Sequence, residues 1–275
     1  MQAQYQINDR LSFMRFLGLE IGDKVPDGNT IWDFKEALKE NQVDKKLFDT
    51  FNNLLEEKNI ITHKGSIIDA TFATVPKRHT TKKDDEHLKK GEDLEDLPIK
   101  CAKRVEKGEI KSQDNVMTQT DLDARWTKKG EESFFGYKNH VKCDSDSKII
   151  TAFSVTDASV HDSQEFVGLI DEKDEDVKAD CGYVGDYAEE ILRLFPGIRV
   201  HVCSRVFRNR SLSEEEKVGN RLISRVRARV EHIFGYMARF VAGISCRVHG
   251  FGCVCCEVAC KNLAYNLRRF MFLVG

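Results

Sequence analysis

Three acidic residues stand where a carboxylate is either costly or useful. Asp69 interrupts the apolar run Ile67-Ile68-Asp69-Ala70-Thr71. Asp180 ends Val177-Lys178-Ala179-Asp180, ahead of Cys181-Gly182-Tyr183. Glu231 lies in the arginine-rich stretch Arg227-Ala228-Arg229-Val230-Glu231-His232. A charge inside an apolar strand is unfavourable unless it is paired or bound to metal. Open α/β sheets place ligands at the ends of strands, and Gly182 permits close backbone approach just after Asp180. Carboxylates converging from two strands and a helix would form a hard-oxygen site for Mg²⁺ or Mn²⁺. Two such ions can activate an attacking oxygen and stabilise a leaving one at a phosphodiester. Blander roles exist for each acid. Asp69 can be an exposed strand-face residue, Asp180 a turn or N-cap residue, and Glu231 the i, i+4 partner of Arg227, a pair of small energetic value.

Phosphate chemistry needs cations nearby, and the chain concentrates them. The net charge is only −2 over 275 residues, with 41% hydrophobic and 32% charged residues. Between Arg205 and Arg247, however, stand Lys or Arg at 205, 208, 210, 217, 221, 225, 227, 229, 239 and 247, against acids only at 214, 215, 216 and 231. A near-neutral chain with one basic block fits a localised phosphate-binding face. Arg221, Arg225 and Arg229 form a stripe at i, i+4 spacing, Arg227 shares a face with Glu231, and all four arginines are candidates to bind DNA phosphates, a plain solvated helix face being the blander reading. Lys138 and His140 alternate on one face of a strand and are candidates to touch DNA. His161-Asp162 precedes a helix, where Asp162 serves equally well as an N-cap or as support for the site.

The elements that would position these groups are legible from periodicity. Residues 1–60 read as helices, the second opened by Thr30-Ile31-Trp32-Asp33 in capping-box form. Residues 67–75 read as a buried strand ended by Pro76. A lysine- and acid-rich loop over 77–129 follows. Strands at 134–141 and 149–155 flank the polar turn Asp144-Ser145-Asp146-Ser147. Then come a helix at 162–171, a strand ending at Asp180, a helix at 186–194, a strand at 198–203, a long helix from Ser213 toward Arg239 opened by the capping box Ser213-Glu214-Glu215-Glu216, and a last helix at 254–272. This order describes an α/β protein with a mixed sheet flanked by helices and a small helical N-terminal region. It fits a ribonuclease-H-like core and is compatible with other α/β folds. No stretch approaches the 18 apolar residues of a membrane span, and the polar start Met1-Gln2-Ala3-Gln4 is not a signal peptide. A cytoplasmic, nucleoid-associated protein with mostly reduced thiols is expected.

Several segments together resemble one family. They are residues 9–19 (Asp-Arg-Leu-Ser-Phe-Met-Arg-Phe-Leu-Gly-Leu), Asp69-Ala70-Thr71, Tyr137-Lys138-Asn139-His140, Thr156 to Ser163, Ala179 to Tyr183, Arg227 to Gly235 and Asn262 to Asn266. In this order, over nearly the whole chain, they resemble the DDE-type insertion-sequence transposases of the insertion-sequence-five family. The resemblance implies a ribonuclease-H-like domain over 61–275, with Asp69, Asp180 and Glu231 as catalytic acids holding two Mg²⁺ or Mn²⁺ ions. It implies nicking at transposon ends, transfer of the 3′-hydroxyl to target DNA, terminal inverted repeats as partners, and a homodimer in the synaptic complex. Arg227 matches the family's arginine four residues before the glutamate. Ser224 stands where related families place a tyrosine, and Ala238, beside Arg239, where a lysine is frequent. Relatives begin with further N-terminal helices, so an N-terminally truncated copy is expected. A metal-dependent nuclease without strand transfer and a catalytically weak DNA-binding remnant are the alternatives.

Overall fold

Ile67 and Ile68 are both fully buried, so the strand carrying Asp69 has core on both of its faces. The computed structural model describes residues 2–75, 86, 89, 90, 121–185, 187–206, 210–240, 245–248 and 250–275. That strand, β1 (Ser66–Thr74), runs antiparallel to β3 (Glu132–Asp144) and parallel to β5 (Asp176–Ala179). β2 (Arg125–Lys129) and β4 (Ile150–Asp157) pair with β3, and β6 (Arg199–Val202) pairs with β5, giving a six-stranded mixed sheet. Gly136 lets β3 lie close to β1. Its φ is +146°, and a Cβ there would meet the carbonyl oxygen of Ala73 at 2.4 Å.

Helices cover both faces of the sheet, consistent with the ribonuclease-H-like class. On one face Ile67, Val141 and Cys143 pack against Val230, Ile233 and Met237 of α7 (Glu214–Phe240), Tyr265 of α8 (Phe251–Val274) and Phe48 of α4 (Val43–Glu57). On the other, Ile68, Val177 and Ala179 meet Phe166 and Leu169 of α5 (Phe166–Leu169) and Ile191 of α6 (Ala188–Leu194). Each fully buried aliphatic or aromatic side chain contributes about 1.5–3 kcal/mol. The N-terminal helices α1 (Gln2–Asp9), α2 (Leu11–Phe16), α3 (Gly28–Glu40) and α4 precede the sheet. α3 and α4 rest on α8, where the Asn266 amide donates to Asn52 Oδ1 (3.0 Å) and Phe51 meets Phe270 edge to face.

Local chemistry explains where elements start and where expectations shift. Ser213 and Glu216 cap α7 reciprocally, at 3.1 and 2.8 Å, as the sequence indicates. α3 begins earlier than its Thr30 motif implies. Asp27 is the N-cap, its carboxylate accepting from the Thr30 N–H at 2.8 Å and from the Thr30 hydroxyl at 2.7 Å. The expected helix at 162–171 is a 3₁₀ turn at Asp162–Gln164 followed by the single turn of α5. β2 lies inside the span read as a charged loop, paired to residues 132–136. Apart from residues 86, 89 and 90, the part of that span before residue 121 lies outside the described residues.

A buried polar knot ties the start of β1 to its neighbours. Asp174, 3% exposed, accepts from Ser66 Oγ (2.7 Å), Lys142 Nζ (2.7 Å) and the Asp171 N–H (2.9 Å), with His63 Nδ1 at 3.5 Å. Burial works against the carboxylate charge, but His63 and Lys142 outweigh it and hold the Asp174 carboxyl down at about 2. The neighbouring Asp174 carboxylate, with Glu56 at 3.0 Å from Nε2, raises His63 against the opposing effect of burial. Removing one partner of a buried ion pair leaves an uncompensated charge, so Lys142→Ala is expected to lower unfolding free energy by about 3–5 kcal/mol in a urea titration. The depressed Asp174 contributes stability above its unfolded value near pH 4, and that stability is lost as pH falls toward 2. The raised His63 contributes stability below about pH 6.5, and that stability is lost as pH rises through its folded value. The difference in thermal midpoint between wild type and His63→Gln is therefore expected to be largest near about pH 5–6 and to shrink above about pH 7. A difference independent of pH contradicts the ion-pair account.

Candidate functional site

β1 and β5 bring two of the three acids side by side. The parallel register pairs Ile67 with Lys178, and two residues further it aligns Asp69 with Asp180. Both point to the face covered by α7. Asp69 Oδ1 accepts from the Ala70 N–H at 2.8 Å, and Oδ2 accepts from Arg227 Nη2 at 2.8 Å. Asp180 Oδ1 caps the short 3₁₀ turn Cys181–Tyr183 through the Gly182 N–H at 2.7 Å. Its Oδ2 lies 3.6 Å from the same Arg227 nitrogen. The turn role foreseen for Asp180 and its place at the site are thus compatible, one oxygen serving each.

The site is sheltered and electrically tense. Burial pushes the Asp69 carboxyl up from its ordinary value, against the lowering effects of Arg227 and the Ala70 N–H. Arg227 also resists burial, and the two carboxylates more than offset that, keeping the guanidinium charged. Two buried polar atoms here have no hydrogen-bond partner among the described residues, the Tyr183 hydroxyl and Arg227 Nε. A Cβ at Gly182 would stand 2.8 Å from Asp180 Oδ1, so a larger residue there would push that carboxylate from its cap on the turn. Two carboxylates already gripping one cation, with the Tyr183 hydroxyl oxygen near them, make an oxygen set suited to a hard divalent ion once Arg227 gives way.

Glu231 is placed differently. It is exposed and makes no ion pair among the described residues. It lies one turn beyond Arg227 on the same flank of α7. Among the described residues no three His, Cys, Asp or Glu side chains converge to hold one metal. The structure therefore joins Asp69 and Asp180 through Arg227 and leaves Glu231 standing clear.

Of the expected DNA-facing residues, Arg227 is held by the two carboxylates, and the others divide into two sets. Arg221, Arg225 and Arg229 lie on the flank of α7 away from Arg227, roughly 120–200° around the axis at 100° per residue. Arg225 and Arg229 border a cleft with Lys178 and His201, and Arg229 also holds Asp146 at 2.9 Å. Lys138 and His140 do not face solvent, contrary to the expectation from strand alternation. Lys138 is 9% exposed and donates to the Val160 carbonyl (2.6 Å) and to Asp162 (2.8 Å). His140 is fully buried against Thr156, and burial pushes its ring down to about 4. Their strand face is covered by the 3₁₀ turn at 162–164 and α5, a layer that alternation alone cannot reveal.

Sequence reasoning gave Tyr183 no role and Asp162 a minor one. Tyr183 follows Gly182 as a buried aromatic with an orphan hydroxyl, and its one sequence signal is position, three residues after a candidate acid. Asp162 is fixed by Lys138, while His161 caps the turn through Ser163.

A family model described as "Transposase DDE domain" matches residues 61–267. A second, described as a transposase domain, matches residues 1–37. No solved structure matches the chain. Among the described residues no helix is long and apolar enough to cross a membrane.

Leucine in place of Arg227 leaves the Asp69 carboxylate without its cation. Arg227→Leu is expected to destabilise the metal-free chain by about 3–5 kcal/mol. Millimolar Mn²⁺ is expected to restore part of that loss by binding the folded state. The check is a pair of thermal melts, in EDTA and in Mn²⁺, for wild type and variant. A variant no more responsive to Mn²⁺ than Asp69→Ala denies the two carboxylates a metal.

Proposed function

Because the chain belongs to the DDE transposase family, whose members are metal-dependent DNA-cutting enzymes, we propose that it nicks DNA at transposon ends and transfers the freed 3′-hydroxyl to target DNA. The observation that carries this reading is the grip of Asp69 and Asp180, from neighbouring strands, on one partly buried guanidinium. Asp69, Asp180 and Glu231 are the proposed metal-holding acids for two Mg²⁺ or Mn²⁺ ions. Such ions, when bound, supply activation of the attacking oxygen and charge stabilisation at the leaving oxygen.

The chain's own residues supply the rest. Asp69 and Asp180 hold their positions through backbone donors, the Ala70 and Gly182 N–H groups, which keep them aimed whether or not a cation lies between them. Arg227, freed from those carboxylates, has donors for a phosphate oxygen, including the Nε that has no partner among the described residues. The burial around Tyr183 and Ile68 excludes water from the rear of the site, which strengthens every charge interaction there. Arg221, Arg225 and Arg229 are proposed contacts to the DNA backbone. Terminal inverted repeats and a homodimer are the proposed partners, since two ends must be handled together.

The exposed position of Glu231 favours one alternative, a DNA-binding protein with weak catalysis. Cleavage of supercoiled plasmid carrying the element's own ends decides between them. Mg²⁺- or Mn²⁺-dependent nicking that is lost in both Asp180→Ala and Glu231→Gln is the expected result. Nicking lost in Asp180→Ala but kept in Glu231→Gln removes Glu231 from the site. Inactivity of the wild type, with DNA binding intact, selects the weak-catalysis alternative. Precut ends that are never joined to target DNA reduce the activity to that of a nuclease.

The arginine stripe has its own check. Arg225→Ala is expected to weaken binding to all duplexes alike and to flatten the log–log salt dependence by about 0.9, the effect of one phosphate no longer neutralised. An unchanged slope returns Arg225 to ordinary solvated surface.

A further inference from the structure

The hairpin turn between β3 and β4 and the far ends of α7 and α8 line a cleft of about 270 Å³ that takes no part in the proposed cleavage. Lys148, His232, Arg268 and Arg269 line it, with the rings of Tyr236 and Phe272. Lys148 Nζ lies 3.0 Å from His232 Nδ1. Arg269 donates to the Ser147 carbonyl at 2.7 Å, and its guanidinium lies over the Phe272 ring at 4.9 Å. Arg268 is exposed and makes no ion pair among the described residues.

Among the described residues lining the cleft, no carboxylate faces these cations. The turn's own acids are engaged elsewhere. Asp144 accepts from the Asp146 and Ser147 N–H groups and from Thr62, and Asp146 pairs with Arg229. Like charges gathered without counter-charge destabilise a fold, and the crowding is visible at Lys148. Burial, then Arg269 and Arg229, depress its ammonium below the usual lysine range. The arrangement is nonetheless held firmly. Lys148 adopts a left-handed φ of +59°, and its carbonyl accepts from the buried Tyr265 hydroxyl at 2.9 Å. A set of uncompensated cations, with Lys148 and Arg269 anchored and Arg268 exposed beside them, is a site for an anion. The aromatic rings narrow its class, because Phe272 is 75% exposed, and nucleic-acid strands bind through cations for the backbone and rings for unpaired bases.

The cleft is also continuous with the basic stripe. His232 and Tyr236 follow Arg229 at three- and four-residue steps, so Arg221, Arg225, Arg229, His232 and Tyr236 share one flank of α7. Arg227 and the carboxylates lie on the other flank. A strand held along this track is therefore separate from the phosphodiester at Asp69 and Asp180.

We infer that this cleft holds a single-stranded stretch of DNA, its phosphate on Lys148, Arg268 and Arg269 and an unpaired base against Phe272. The inference rests on the transposase reading for its choice of DNA. It is tested on the full chain by fluorescence anisotropy, with a labelled single strand of about 20 nucleotides, long enough to span one such groove, the matching duplex and the matching RNA, each titrated with salt. The double variant Lys148→Ala/Arg268→Ala is expected to flatten the single-strand salt slope by about 0.7 for each phosphate it no longer neutralises. Phe272→Ala is expected to weaken single-strand binding about tenfold while leaving duplex binding unchanged, the size of one base stack removed. Arg268→Glu, a change at an exposed residue, keeps the test valid if the double variant folds poorly, and it is expected to act in the same direction. Unchanged single-strand affinity and slope in all three variants overturns the site. Equal losses on duplex and single strand overturn the unpaired-base assignment, and tighter binding of RNA overturns the choice of DNA. A wild-type chain that binds single strands but never nicks a plasmid spares this site while defeating the proposed catalysis. One that binds no DNA at all overturns both.

Discussion

A carboxylate in the central strand of a sheet requires a cation, and the fold is arranged around supplying one. Asp69 sits in β1, between an antiparallel and a parallel neighbour, with core beneath it on the opposite face. Arg227 reaches it from α7 only because Val230, Ile233 and Met237 seat that helix on the sheet at a fixed height and rotation. The same guanidinium touches Asp180. One guanidinium thus links β1, β5 and α7. The helix packing that enforces it leaves a buried arginine nitrogen without a partner among the described residues. Strain of this kind is common where a site must later accept something else.

Much of this was legible in the chain. An acid within Ile67-Ile68-Asp69, a strand ending in Asp180-Cys181-Gly182, and an arginine four residues before a glutamate each carry a local physical signal: an apolar context, a turn, a helical period. The hairpin turn at 144–147 and the Ser213–Glu216 cap were readable for the same reason, since their partners are near in sequence. The fates of Lys138, His140 and Asp174 were not. Whether an alternating polar residue meets water or a second layer of helices depends on segments far along the chain. Lys138 finds Asp162, and Lys142 finds Asp174, across such distances. The break of the expected 162–171 helix into a 3₁₀ turn and one α-turn is likewise a tertiary effect. Phe166 must drop into the core beside Tyr183 and Tyr187. The strand at 125–129 was hidden because its exposed lysines read as loop until β3 offers it an edge.

The sheet also separates two kinds of electrostatics. On the α7 face, charges at the site are exposed enough to exchange partners. Asp180 retains about a third of its side-chain surface. On the opposite face, and at the base of β1, the charges are locked. Lys142 and Asp174 are almost fully enclosed, and His140 is kept neutral by burial. The first set can respond to a ligand. The second holds the strands in register so that the first set stays aimed.

The contact between Asn52 and Asn266 ties an early helix to the last one. Asn266 also serves the Ile150 N–H and carbonyl, so three distant parts of the chain share one amide. On a ribosome, the N-terminal helices and the β3–β4 hairpin would be made well before the residue that joins them. Until α8 emerges, Phe48, Leu55 and that side of the sheet lack the cover that Tyr265 and Phe270 give them. Folding of such a chain depends on long loops closing late, which slows it and leaves apolar surface open to other proteins in the interval. A message cut short ahead of α8 would therefore yield a sheet partly bare on one side, a form open to proteolysis before it could act on any DNA.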